Sequence, residues 1–122
     1  MTDVLLRPTV VILTKNMSLA RSLLVTLSDI QVECEATFDN PRHALLHTRS
    51  RSPDACLITP SQFLRDELRD VVSAMRETET KAIAILARQP QNTADVESYS
   101  AWMLASNDMY KDLKRVFSEN DI

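Results

Sequence analysis

The side chains best suited to chemistry are few and scattered along this chain. His43 and His47 stand four residues apart, a spacing that on a helix can turn two imidazoles toward one metal ion. No Cys, Asp or Glu is spaced to complete the shell, so solvated helix histidines are the plainer reading and no metal is expected. Arg42, Arg49 and Arg51 surround them as the one local basic patch. No aromatic is interleaved on which bases could stack, and Arg49 and Arg51 suit a helix C-terminus, where cations meet the negative end of the dipole. Direct nucleic-acid binding is therefore not expected of this segment. Cys34 and Cys56 make neither a disulfide framework nor a zinc site. Both lie in apolar-patterned stretches, as reduced, buried thiols of a cytoplasmic protein would. No nucleophile–base pair or carboxylate dyad is visible, so neither enzyme activity nor a cofactor is expected.

Composition narrows the field further. The chain of 122 residues contains no glycine. That excludes the phosphate loop and the dinucleotide fingerprint, whose glycines let the backbone approach a pyrophosphate. The EF-hand loop and the G-x-S-x-G nucleophile elbow are excluded with them. Fourteen Lys and Arg stand against 17 Asp and Glu, a net charge of −3. Such a balance gives no general pull toward nucleic acid or an anionic membrane. The N-terminal stretch MTDVLLRPTVVILTKN has no basic segment before its apolar run, and the run stops at Leu13. It is read neither as a signal peptide nor as a membrane span.

The elements that must position these residues alternate in type. Val10 to Leu13, Ala55 to Ile58, Ala82 to Ala87 and Trp102 to Ala105 are short apolar runs of the kind that make buried strands. From Gln31 to Phe38 the pattern alternates, with Val32, Cys34, Ala36 and Phe38 against a polar set, as in a half-exposed strand near a sheet edge. Between them lie helical segments. Ser18 is the expected cap of the first, with Leu19, Leu23 and Leu27 on one face. Asp39-Asn40-Pro41 opens the second, which carries Ala44, Leu45 and Thr48, with Asp39 as its cap. Pro60-Ser61 opens the third, with Leu64, Leu68, Val71, Val72 and Met75 inward. Asn92-Thr93 caps a fourth to about Tyr99, and Asn107 a fifth with Tyr110, Leu113, Val116 and Phe117. Five β-α units imply an α/β fold: a doubly wound, five-stranded parallel sheet of flavodoxin-like type with helices on both faces. Leu13, Leu57, Ile58, Ile83, Ile85 and Leu86 are expected in its core.

Ligands of such sheets bind beyond the carboxyl ends of the strands, which here read Thr14-Lys15-Asn16, Phe38-Asp39, Thr59-Pro60, Ala87-Arg88 and Ala105-Ser106. Through the phrases VVILTKN, PDACLITP, AIAILARQ and AWMLAS, each followed by a helical segment, nearly the whole chain resembles the receiver domain of two-component response regulators. A receiver holds Mg²⁺ with an acidic pair after its first strand and accepts phosphate on an aspartate ending the third. A hydroxyl ending the fourth and a lysine ending the fifth grip the phosphoryl group. Those places fall on Thr14, Lys15 and Asn16, on Thr59, on Ala87 and on Ala105, and none matches. The segment between the fourth and fifth strands is also shorter than is usual in the family. The resemblance is thus to a degenerate receiver, a pseudo-receiver. Elementary chemistry agrees: Mg²⁺ requires carboxylate oxygens, and phosphoryl transfer requires that charge.

Two function classes follow. In the first, residues 1–122 form one receiver-like domain, a form that commonly precedes an output domain in a longer regulator. It signals without phosphorylation, by contact with an output domain, a kinase or a second copy of itself. By that resemblance the working face comprises Tyr99, Trp102, Met109, Tyr110, Lys111, Lys114 and Arg115, and could support a weak homodimer. Trp102 stands where a receiver carries its switch aromatic, and both packing and docking suit it. In the second class, Lys15 and Arg88, taken to lie at neighbouring strand ends, bind a small anion such as a nucleotide or cyclic dinucleotide. Glycine-free loops count against that class, since they keep backbone amides from a phosphate.

Overall fold

The computed structural model describes residues 7–105 and 108–122. Five strands, β1 (Thr9–Leu13), β2 (Glu33–Phe38), β3 (Ala55–Ile58), β4 (Lys81–Leu86) and β5 (Ala101–Leu104), form one sheet in the order β2-β1-β3-β4-β5. Every pairing is parallel, in register Val11 to Cys56, Leu57 to Ile83 and Ile85 to Met103. Four helices accompany them: α1 (Met17–Asp29), α2 (Pro41–Arg51), α3 (Arg65–Glu77) and α4 (Met109–Glu119). The doubly wound parallel sheet expected from the alternating runs is therefore present. Among the described residues no helix is long and apolar enough to cross a membrane.

Side chains of the central strands alternate between two apolar clusters. Val10, Ile12, Leu57, Ile83, Ile85 and Met103 pack under α1 and α4 against Leu23, Leu27, Leu113 and Phe117. Val11, Leu13, Cys56 and Ile58 pack under α2 and α3 against Ala44, Leu68, Val71 and Met75. Strands covered on both faces read as continuous apolar runs, which is why these segments were legible. The edge strand β2 departs from simple alternation. Its register against β1 slips between Val10 and Val11, so that Glu35 is an extra residue. Such a bulge exchanges faces: Cys34 packs on the α1–α4 cluster, and Phe38 packs on the other.

The fourth crossover corrects the expected helix count. Asn92 does cap the segment, its side chain accepting from the Ala94 N–H at 3.0 Å, but the turn is a 3-10 turn of three residues, Thr93–Asp95. Residues 87–100 contain no α-helix. Without a covering helix, Leu86 is only half-buried, whereas the other expected core residues are enclosed. Pro60 likewise opens a 3-10 turn, Pro60–Gln62, and α3 starts later, leaving Leu64 71% exposed.

Three of the helix starts among the described residues follow polar side chains, one or two places from those expected. Asn16, not Ser18, caps α1, accepting from Leu19 N–H at 3.0 Å. Asn40, not Asp39, caps α2, accepting from Arg42 N–H at 2.9 Å with Pro41 in the first turn. Leu64 precedes α3, and the Glu67 carboxylate accepts from its N–H at 3.2 Å. Asn107 lies outside the described residues; Asp108 accepts from Lys111 N–H at 3.3 Å. Helix ends are more unusual. Gln31, Ser52, Glu79 and Asp121 all have positive φ, between 48° and 62°, in the left-handed region where glycine is usual. After α1, α3 and α4 the same bond follows, from Val32, Thr80 and Ile122 N–H to Leu27, Met75 and Phe117 carbonyls at 2.8–2.9 Å. Pro53 follows Ser52 and has no N–H to make it.

Candidate functional site at the carboxyl end of the sheet

β1 and β3 are neighbours, and the chain leaves β1 for one face of the sheet and β3 for the other. Such a switch point opens the crevice in which open α/β sheets place ligands. Here Thr14, Thr59 and Gln62 hydrogen-bond to one another at that place. Thr14 and Thr59 follow β1 and β3 and are 2% and 6% exposed. The Thr59 hydroxyl lies 2.9 Å from Thr14 Oγ1 and 2.8 Å from Gln62 Oε1, so its one proton serves both. Thr14 Oγ1 donates to Gln62 Oε1 at 3.1 Å and accepts from Asn16 N–H at 3.1 Å. Lys15 N–H donates to the same Gln62 oxygen at 2.6 Å. The network is neutral, and one Gln62 oxygen serves three donors. Neither hydroxyl has a base within it, so neither is activated as a nucleophile.

Gln62 was not anticipated. It reaches back across the turn that Pro60 starts, three residues from Thr59. Only the turn-forming proline hinted that the side chain would return to the strand end.

The cations at this end are dispersed. β3 lies between β1 and β4, so Lys15 and Arg88 are not at neighbouring strand ends as supposed. Lys15 extends its Nζ over the Phe63 ring, 5.3 Å from the centroid. Arg88, Ala87, Asp39 and Ala105 are exposed. The two alanines add methyl groups only. The strand ends among the described residues thus offer one carboxylate, Asp39, on the edge strand.

The histidine pair resolves differently from its sequence reading. An acid does meet it: His47 Nε2 lies 2.9 Å from Glu35 Oε1, and the bulge in β2 carries that glutamate. His47 also stacks tilted against Phe38, with ring centroids 5.4 Å apart. His43 is exposed, and no three metal-ligating side chains gather among the described residues. Arg42 and Arg49 line a cleft shared with Glu67 and Asp70 of α3, which offsets the basic patch. Cys56 is buried, and burial raises its thiol pKa well above the ordinary value. Cys34 is only half-buried, so the expectation of two buried thiols holds for one.

The residues expected to form one working face do not all share it. Met109 packs on the α1–α4 cluster, and Tyr99 packs on the opposite one, where burial pushes its pKa up to about 12. Trp102 is half-buried on the edge strand β5. Tyr110, Lys111, Lys114 and Arg115 are exposed on α4. Lys114 Nζ sits 5.2 Å over the Tyr110 ring, and Arg115 pairs with Glu119 at 3.4 Å.

The architecture is that of response-regulator receiver domains. The chain is similar to a CheY-like receiver domain from Methylobacillus flagellatus, with 17% identity and a TM-score of 0.74, covering 93% of this chain and 98% of that one. A receiver protein from Burkholderia phymatum gives 16% and 0.76, covering 95% and 97%. A response regulator from Thermotoga maritima gives 16% and 0.74, covering 93% and 99%. No family model matches the sequence, and no curated protein matches it. At such identities the likeness establishes the receiver fold.

Proposed function

We propose that this domain is a pseudo-receiver, a regulatory interaction module of the two-component type that works through protein contacts without being phosphorylated. The observation that carries the reading is the closed Thr14–Thr59–Gln62 network in the crevice where ligands of this fold bind. On this reading a side-chain amide and two hydroxyls stand in for the carboxylates and Mg²⁺ that phosphoryl chemistry needs. With those hydroxyls and the amide bonded to one another, regulation acts through an outer surface. The exposed side of α4, with Tyr110, Lys111, Lys114 and Arg115, offers an aromatic ring and guanidinium of the types enriched at interfaces. Its partner is an output domain, a kinase or a second copy.

Two measurements test this reading. Incubation with acetyl phosphate and Mg²⁺ is expected to leave the intact mass unchanged and the Thr14 to Asn16 amide resonances unmoved. A phosphate adduct on Thr59 or Asp39 would overturn it. Sedimentation of wild type is expected to show weak self-association at high concentration that Tyr110→Ala/Arg115→Glu removes; identical monomers would eliminate the second copy as partner.

A further inference from the structure

A parallel crossover ordinarily lays a helix over the strands it joins. Here residues 87–100 have none, and the space beside α3 is a groove of about 780 Å³. Its floor includes Phe63, Leu68, Val72, Leu86 and Tyr99. One wall is α3, on which Arg65, Arg69 and Arg76 fall at i, i+4 and i+11. At 100° per residue those positions lie within about 40° of one another and span about 16 Å of the axis. The opposite wall is formed by the segment from Asn92 to Tyr99, held to α3 by Arg76, which donates to the Ser98 carbonyl at 3.3 Å. Asp95 is the only carboxylate among the lining residues, against three guanidiniums. In a chain of net charge −3, this groove is locally cationic.

We infer that this groove docks an acidic amphipathic helix from a partner protein. A parallel crossover between β4 and β5 would ordinarily place a helix there, and this groove is left where that helix is missing. The apolar floor suits one face of such a helix, and the arginine row suits carboxylates repeating at i and i+4 along its flank. Arg65 and Arg69 are both exposed, and among the described residues Arg69 pairs with its neighbour Asp66 alone, at 3.0 Å, within its own helix. A helix presenting carboxylates therefore meets guanidiniums that are free to turn toward it. The surface is distinct from the outer side of α4, and either assignment can fail alone.

The test is a phage-displayed library of helical peptides with apolar residues fixed at heptad a and d positions and the rest randomised. It is selected on wild type and on an Arg65→Glu/Arg69→Glu variant whose circular dichroism and melting match wild type. Wild type is expected to enrich sequences with Asp or Glu at i and i+4. A synthetic copy of the winner is expected to bind the variant at least tenfold more weakly and to shift the Phe63, Val72 and Leu86 resonances. No enrichment, enrichment without acidic excess, equal affinity for the variant, or shifts confined elsewhere would each overturn the assignment. Two other outcomes also overturn it: the same shifts produced by inorganic phosphate alone, or a wild-type dimer abolished by Arg65→Glu/Arg69→Glu, which would make the occupant a second copy.

Discussion

Ile85 and Leu86 are consecutive residues of β4 with the same apolar character and opposite fates. Ile85 points under α1 and α4 and is 3% exposed, while Leu86 points to the other face and lines the open groove. The α1–α4 face is roofed across β1, β3, β4 and β5, whereas α2 and α3 leave the far side of the other face uncovered. The cause lies in residues 87–100. Apart from alanine, their apolar side chains are Val96 and Tyr99, with Pro90 near the start. A helix there could bury too little to offset the entropy of forming it, and short isolated helices are marginal in water. The segment instead ties Tyr99 to the cluster under α3, half-buries Pro90 and Val96 and leaves its other side chains exposed. Strand formation needs only an apolar run; face closure needs a second amphipathic element.

This asymmetry can be broken by measurement. Ile85→Ala should lower the free energy of unfolding by about 2–5 kcal/mol through lost burial and a cavity, and Leu86→Ala by less than half of that. Equal losses in urea denaturation would show that the two faces are closed alike. Gln62→Leu should cost about 1–3 kcal/mol, because it removes the oxygen that accepts from the Thr14 and Thr59 hydroxyls and from Lys15 N–H, leaving the two hydroxyls with each other. A denaturation midpoint like wild type would mean that the network is dispensable.

An effect of intermediate size is expected from alkali. Cys56 and Tyr99 both belong to the α2–α3 face, and burial raises the pKa of each. Each therefore keeps its proton in the folded state after the unfolded chain has released it, from about pH 9 for Cys56 and about pH 10 for Tyr99. Stability is full below those values and falls as pH rises toward 12. Tyr99→Phe should flatten the upper part of that decline, and an unchanged slope would place Tyr99 in water. The smallest effect concerns Thr48, whose buried Oγ1 has no hydrogen-bond partner among the described residues. Thr48→Val should raise stability by about 1 kcal/mol, read from the shift in the urea midpoint.

Much of the fold was legible because central parallel strands write themselves as unbroken apolar runs. Leu13, Leu57, Ile58 and Ile83 were placed in the core on that ground alone, and all are fully enclosed. Positions that depend on neighbours in space were not legible. Lys15 and Arg88 were set side by side, yet strand order is decided by which way each crossover turns. The bulge at Glu35 left the exposure pattern of β2 intact while exchanging the faces of Cys34 and Phe38, so alternation concealed it. Among the candidate site residues, Thr14, Lys15, Asn16 and Thr59 were found from their places after strands. Gln62, which joins them, sits in a turn with no periodic signal.

The left-handed residues after the helices have a consequence for how this chain assembles. Glycine would make each stop a local instruction, at little steric cost. Gln31, Glu79 and Asp121 instead adopt a conformation that costs roughly 1–2 kcal/mol in an L-residue. What holds them is the residue that follows: Val32, Thr80 and Ile122 are drawn toward the sheet, and their N–H groups reach back to the last turn. The ends of α1, α3 and α4 thus rest on where the following residue packs as well as on the local bond. A peptide cut to span α1 or α3 alone would lack the instruction to end where the intact domain ends it.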